Sequence, residues 1–387
     1  MNIKERDDLY VAHTYARFPV VIDHGKGSLV YDENGKEYID LSSGIAVDTF
    51  GVCDEPWIEA VKAQLEKVQH ISNLYYTEPC STLAQMLCER TQMKKVFFSN
   101  SGAEANECAI KVARKYAQDR KGADYYHIIT LKNSFHGRTL SMLAATGQDS
   151  FHELFTPLTP GFVYATANDL DSVKKLMDEY KCAAVMLEIV QGEGGVIALD
   201  RDFVQGVESL CQANDICLIC DEVQLGNGRS GMLYGYMNYD VHPNIVSTAK
   251  GIGGGLPLGV TMLDEKVQDT LTPGTHGSTF GGNPVSCAGA ISILERIDEK
   301  LLSEVREKST YIKQQLEGAK GIGSVTGMGL MLGVQTTRDA SDIVAECIKE
   351  GVLVIKAKNK LRLLPALNIP MEELSKAVQI IKKVCAR

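Results

Sequence analysis

Asp221 closes the apolar run ICLICD, and Lys250 follows the apolar run NIVSTA 29 residues later. An acid and an amine at the carboxyl ends of neighbouring strands share the crevice where open α/β sheets bind ligands. The spacing fits one strand–helix–strand crossover. Desolvation there lowers the pKa of a lysine and makes its amine a usable nucleophile toward a carbonyl. Taken alone, an Asp–Lys ion pair at a sheet edge is the plainer reading of such residues.

Two further runs carry chemistry. FFSNSGAEANECAIKVA passes from a strand into a helix through Ser99, Asn100, Ser101, Gly102 and Ala103. Small residues and free N–H groups at a helix start suit one phosphate group, although a serine N-cap needs no ligand. NSFHGRT sets an aromatic ring (Phe135), an imidazole (His136) and a guanidinium (Arg138) after another strand. A surface loop is the alternative for that run.

Positioning these groups requires a sheet. From about Lys95 to Met262, apolar runs alternate with helical patterns, as in a parallel sheet covered by helices. The expected strands are Lys95–Ser99, Tyr126–Leu131, Phe162–Ala165, Ala183–Leu187, Ile216–Cys220, Ile245–Thr248 and Leu258–Met262. Ala109, Val112, Ala113, Tyr116 and Ala117 form one helical face that Gly122 can close, and 201–214 reads as a second helix. Beyond Pro284 a long helical stretch carries Leu294, Ile297, Leu301 and Val305. A glycine-rich strand region (321–334) and a last helix opening at Pro370 follow. Asn34-Gly35 marks a hairpin. The expected division is an N-terminal segment 1–50 packing with a small domain, a large domain 51–283, and a smaller α+β domain 284–387.

Composition narrows the function classes. The 387 residues carry 40 Lys+Arg against 49 Asp+Glu, a net charge of −9, which gives no general attraction for nucleic acid or anionic lipid. Eleven cysteines are too few for a disulfide scaffold at this length and fit a reducing compartment. MNIKERDDLYVAH has no apolar signal core, and no stretch approaches the ~18 apolar residues of a membrane span. A soluble, cytoplasmic protein is expected.

SGAEAN, FHGRT, EIVQGEGG, DEVQLGNGRSG, STAKGIGGG and GSTFGGNP, in this order, resemble the class III pyridoxal-phosphate aminotransferases of fold type I. The similarity runs from YDENGKEYIDL to LRLLPAL. It implies a large domain with a mainly parallel mixed sheet covered by helices, a smaller α+β domain, and pyridoxal 5′-phosphate as cofactor. Lys250 would bond the cofactor's aldehyde, and Asp221 would hydrogen-bond its pyridine nitrogen. Phe135 and Val223 would cover the two ring faces, with His136 beside them, and Gln224 would reach the 3′-oxygen. Ser101, Gly102 and Ala103 would hold the phosphate, helped by Thr279 from the second subunit of a homodimer. Arg138 and Arg362 match positions that bind substrate carboxylates, which a planar guanidinium grips bidentately. Glu193 would screen Arg362 while the amino donor binds, and Ser278 would lie with the substrate group.

SNLYYTEP and SSGIAV most resemble the branch acting on N-acetylornithine. The implied reaction passes its distal amino group to 2-oxoglutarate, a step of arginine biosynthesis. N-succinylornithine, succinyldiaminopimelate, ornithine and 4-aminobutyrate are alternative donors. Gly44 stands where ornithine transaminases carry a substrate-binding tyrosine, which favours an N-acylated donor. Three departures stand out: GVCDEP where relatives read GHCHP, Ile189 in place of proline, and LGNGRSG in place of a TGVGRTG-like run.

Other signals are weak. Gly226–Gly231 matches G-x-G-x-x-G, but DEVQL intervenes after the strand and no helix start follows, so a turn is expected. Neither Gly-Lys pair belongs to a P-loop. Cys217 and Cys220 point to opposite faces of one strand, and the histidines show no metal-ligand clustering. A nicotinamide dehydrogenase would bind a dinucleotide and form no Schiff base. A catalytically silent partner protein would lack Lys250 or Asp221, and both are present.

Overall fold

The apolar runs fold as strands buried on both faces, which is why they read as continuous rather than alternating. In a computed structural model describing residues 1–387, strands Lys95–Ser99, Gly259–Leu263, Ile245–Thr248, Cys217–Asp221, Cys182–Leu187, His127–Leu131 and Phe162–Ala165 form, in that spatial order, one seven-stranded sheet. Ala109, Val112 and Ala113 of helix Gly102–Lys121 pack with Ile128, Met186, Ile219 and Ile245 on one face. Ile129, Val185, Leu187, Leu218 and Val246 face the larger core on the other side. Cys217 and Cys220 fall on opposite faces accordingly, and all eleven cysteines are free thiols.

Six of these strands run in one direction, and Gly259–Leu263 runs antiparallel to both of its neighbours. The link from Thr248 to Gly259 is too short for the crossover of a dozen or more residues that a parallel partner needs. The connection from Asp221 to Ile245 also departs from expectation. It contains turns and a 3₁₀ segment, Gly235–Tyr239, with no α-helix. Asn227, Gly228 and Gly231 all have positive φ there, so the G-x-G-x-x-G run is a turn, as its context implied.

Helix Gly102–Lys121 ends at Gly122, whose φ of 111° only glycine adopts easily. The long stretch after Pro284 is two helices, Pro284–Arg296 and Glu299–Leu316. Asp298 starts the second by accepting the N–H of Leu301 at 2.8 Å, while Arg90 holds the carbonyls of Leu294 and Ile297. Pro370 is the N-cap of Met371–Cys385 rather than its first helical residue.

A second sheet joins Ile22–Lys26, Leu29–Asp32 and Glu37–Asp40 to Val352–Leu353 from the C-terminal part, which pairs parallel with Glu37–Asp40. At the Asn34-Gly35 hairpin, Gly35 has φ 77° and the Asp32 carboxylate accepts the N–H groups of Asn34 and Lys36. A third sheet carries Ile322–Met328, Met331–Thr336, Lys360–Leu363 and Ile355–Ala357 in that order. Helix Pro284–Arg296 packs on helices Glu55–Leu65 and Glu78–Thr91. No helix is long and apolar enough to cross a membrane.

Candidate active site

Asp221 and Lys250 meet because their strands are parallel neighbours in register, Asp221 opposite Ser247. Both therefore reach the same edge of the sheet. There they line a cavity of about 400 Å³ together with Ser101, Gly102, Ala103, Phe135, His136, Val223 and Gln224. Nine residues singled out from the sequence thus surround one space.

The buried Asp221 carboxylate is fixed from three segments. Its Oδ2 accepts Asn106 Nδ2 and His136 Nδ1, each at 2.8 Å, and its Oδ1 accepts the N–H of Val223 at 3.0 Å. Asn106 also donates to the carbonyl of His136 at 2.8 Å and accepts from Ser247 Oγ at 2.5 Å. Burial disfavours a charged His136, but its hydrogen bond to Asp221 and the charge of Asp221 prevail and raise its pKa. An acid held in this way stays available to a cationic ring nitrogen.

Lys250 opens a short 3₁₀ turn at φ 47°, a region that non-glycine residues occupy only when their surroundings impose it. Those surroundings are on both sides. Asn227 donates to Thr248 Oγ1 at 3.0 Å and to the Ala249 carbonyl at 3.2 Å, while Thr49 Oγ1 donates to the Gly251 carbonyl at 2.7 Å. Burial lowers the Lys250 pKa, partly offset by the charge of Glu193, which favours the neutral, nucleophilic amine.

At the opposite wall, Ser101 caps helix Gly102–Lys121, its Oγ accepting the N–H of Glu104 at 3.2 Å. The run is a serine-capped helix whose start lines the cavity. A Cβ on Gly102 would come within 2.6 Å of Val223 Cγ1, so glycine is required for this close approach. Arg138, Glu193 and Arg362 are not among the residues lining this cavity. Arg362 Nη1 donates to Glu193 Oε1 at 2.6 Å and to Oε1 of the lining residue Gln224 at 3.1 Å. Arg362 is buried, with Nε lacking a partner. Arg138 is exposed, its Cζ 5.6 Å from the centroid of the lining residue Phe135.

Ser278 and Thr279 do not line this cavity. Ser278 accepts from Asn100 Nδ2 at 3.2 Å and lines a separate cavity of about 450 Å³ with His70, Asn73, Tyr76 and Phe97. Thr279 is exposed. No cluster of His, Cys, Asp or Glu could hold a metal ion.

Sequence reasoning missed three residues of the site. Glu188 lines the cavity, and its Oε1 accepts the N–H of Phe135 at 2.9 Å. Burial and the Asp221 charge push its pKa up to about 8, against the opposing effects of His136 and the N–H groups of Phe135 and Gly192. It closes the run AAVML as Asp221 closes ICLIC, so the same signal pointed to it. Asn106 lies one turn beyond Gly102, on the same helix face. Asn227, which holds the Lys250 backbone, stands at one of the departures from the family pattern.

The aminotransferase class-III family matches residues 10–385. The acetylornithine aminotransferase of Haemophilus ducreyi is 48% identical over 385 residues, covering 99% of this chain and 98% of that protein. The ornithine aminotransferase of Toxoplasma gondii superposes with a TM-score of 0.94 at 32% identity, covering 99% and 94% of the two chains. The N-acetylornithine aminotransferase of Stenotrophomonas maltophilia gives a TM-score of 0.85 at 33% identity, covering 99% and 98%. The cavity fits a pyridoxal phosphate group. It offers a buried acid with an oxygen bonded only to one N–H, a lysine whose pKa burial lowers, and a helix start where Gly102 leaves no room for a Cβ beside Val223.

Proposed function

The chain belongs to the class-III aminotransferases, and from that premise we propose that it moves the distal amino group of N-acetylornithine to 2-oxoglutarate, giving N-acetylglutamate 5-semialdehyde and glutamate. The observation that carries this reading is the 2.6 Å bond between Arg362 and Glu193, beside an Arg138 that makes no ion pair. A donor with one carboxylate engages Arg138 alone, with Glu193 covering Arg362. A dicarboxylate acceptor engages both arginines once Glu193 turns aside. Gly44 presents no side chain where ornithine-specific relatives carry tyrosine, which leaves room for an acyl group. The 48%-identical relative named for acetylornithine supports the same donor.

Pyridoxal 5′-phosphate, on which this class depends, supplies an aldehyde that takes up the amino group and a ring that accepts electrons from the reacting carbon. Lys250 would hold the cofactor through its aldehyde, and its Nζ is the group placed to move a proton at the reacting carbon. Asp221, fixed by His136, Asn106 and the Val223 N–H, would accept the hydrogen bond of the ring nitrogen. Phe135, Val223 and Gln224 would hold the ring, and Ser101, Gly102 and Ala103 would hold the phosphate at the helix start.

Thr279 and Ser278 serve the cavity of a second copy, so the working unit is a homodimer with shared sites. Exposed Leu74, Tyr75, Tyr76 and Phe280 give that copy an apolar surface to cover. Residues 51–283 carry the cofactor, while 1–50 and 284–387 bring Gly44 and Arg362 to the substrate. The reaction serves arginine biosynthesis in the cytoplasm.

The test is a panel of distal amines with 2-oxoglutarate, assayed for glutamate. N-acetylornithine is expected to have the highest kcat/KM. Preference for free ornithine would refute the reading of Gly44.

A further inference from the structure

Arg138 is held in an unusual way for a cation that must grip an anion. No carboxylate or carbonyl of the chain accepts from it; its Cζ lies 4.4 Å from the centroid of the Phe151 ring and 5.6 Å from that of Phe135. The two rings meet edge to face at 5.9 Å and 62°, forming a corner for the guanidinium. An aromatic ring attracts a guanidinium through its face, while the N–H groups lie in the plane. The rings therefore hold the guanidinium while its N–H donors make no hydrogen bond with the chain. An acidic partner would instead occupy the donors and compete with substrate.

Phe151 owes its place to bonds that do not involve Arg138. Segment 146–152 is stitched to segment 133–136. The N–H of Asn133 donates to the Gly147 carbonyl at 2.6 Å, and the N–H of Gly147 donates to Ser134 Oγ at 3.0 Å. The N–H of His136 donates to Thr146 Oγ1 at 3.0 Å, and Gln148 Nε2 donates to the Ser134 carbonyl at 2.9 Å. One stitched unit thus carries Phe135 and His136 at the cavity and the ring on which Arg138 rests.

We propose that Phe151 is a positioning residue for substrate: it holds the Arg138 guanidinium by its face and presents the free N–H edge to the carboxylate shared by amino donor and keto acid. The inference rests on the reading of Arg138 given above. Its scope is any carboxylate-bearing substrate, whichever acyl group the donor carries.

Steady-state kinetics of the holoenzyme test it, with Phe151→Leu, Phe151→Tyr and Arg138→Ala. Phe151→Leu is expected to raise KM for both N-acetylornithine and 2-oxoglutarate by ~2- to 5-fold, the size of an exposed cation–π contact, with kcat unchanged. Phe151→Tyr, which keeps the ring, restores KM. In the donor half-reaction alone, followed as amination of the cofactor without 2-oxoglutarate, a simple alkylamine without a carboxylate reacts equally well with wild type and Phe151→Leu. The inference is overturned if Arg138→Ala raises both KM values while Phe151→Leu changes neither, or if Phe151→Leu lowers kcat equally for the alkylamine. If Arg138→Ala leaves carboxylate binding unchanged, the reading of Arg138 itself falls, and the role of Phe151 with it.

Discussion

At the floor of the cavity, Asp221 accepts three hydrogen bonds from helix, loop and turn, whereas at the rim Arg138 has no hydrogen bond to the chain and rests on two rings. Arg362 lies between these extremes, buried like Asp221 yet tied to the half-exposed Glu193. In the proposed cycle Asp221 faces one cofactor throughout, so its protein partners can be fixed in advance while Oδ1 keeps room for one more donor. The rim meets an amine in one half-reaction and a keto acid in the other. Its groups must therefore be held without being used up.

The contrast predicts a gradient of effects. Lys250→Ala, at the floor, is expected to remove glutamate formation by at least ~10⁴-fold, since it deletes both the cofactor anchor and the proton carrier. Wild-type turnover by that variant would break the distinction at its strongest point. Asp221→Asn keeps the shape but removes the charge that His136 and the ring nitrogen need. It should lower kcat by ~10²- to 10³-fold, the scale of one lost preorganised electrostatic contact, with the pH dependence of the cofactor spectrum altered.

Glu193→Gln, at the wall, should have a smaller and selective effect. With Arg362 no longer neutralised, dicarboxylate amines such as glutamate gain as donors relative to N-acetylornithine by ~10-fold in kcat/KM. An equal loss for both donors would mean that Glu193 is structural rather than a screen.

Glu188→Gln tests the floor through stability. Burial pushes the pKa of the Glu188 carboxyl up to about 8, well above an ordinary carboxyl. The folded state therefore binds its proton more tightly than the unfolded state. That contribution is complete below the ordinary carboxyl range and is lost as pH rises toward 8. The variant should match wild type in thermal unfolding near pH 4.5 and become progressively more stable than it up to pH 8. A constant difference across that range would show that Glu188 does not hold a proton in the folded chain.

The parts of this picture visible in the sequence were those with a local signature. Asp221, Lys250 and the Ser101–Ala103 helix start follow or precede apolar strands, and seven strands show as apolar runs. Their spatial order does not, because long-range pairing fixes the antiparallel place of Gly259–Leu263. The Asp221–Ile245 connection looked like a crossover by length, but positive-φ residues at 227, 228 and 231 make it a chain of turns. Asn106, Asn227 and Phe151 act through partners 115, 22 and 13 residues away. No spacing rule on one segment reveals such pairs.

Lys250, its pKa lowered by burial and its backbone held by Asn227 and Thr49, is proposed to carry pyridoxal phosphate beside Asp221. Borohydride reduction of the holoenzyme, followed by digestion and mass spectrometry, tests it most directly. The account predicts the phosphopyridoxyl mass on the peptide containing Lys250, and on no other lysine. A label on a different lysine, or none in a protein that still transfers amino groups, would contradict it.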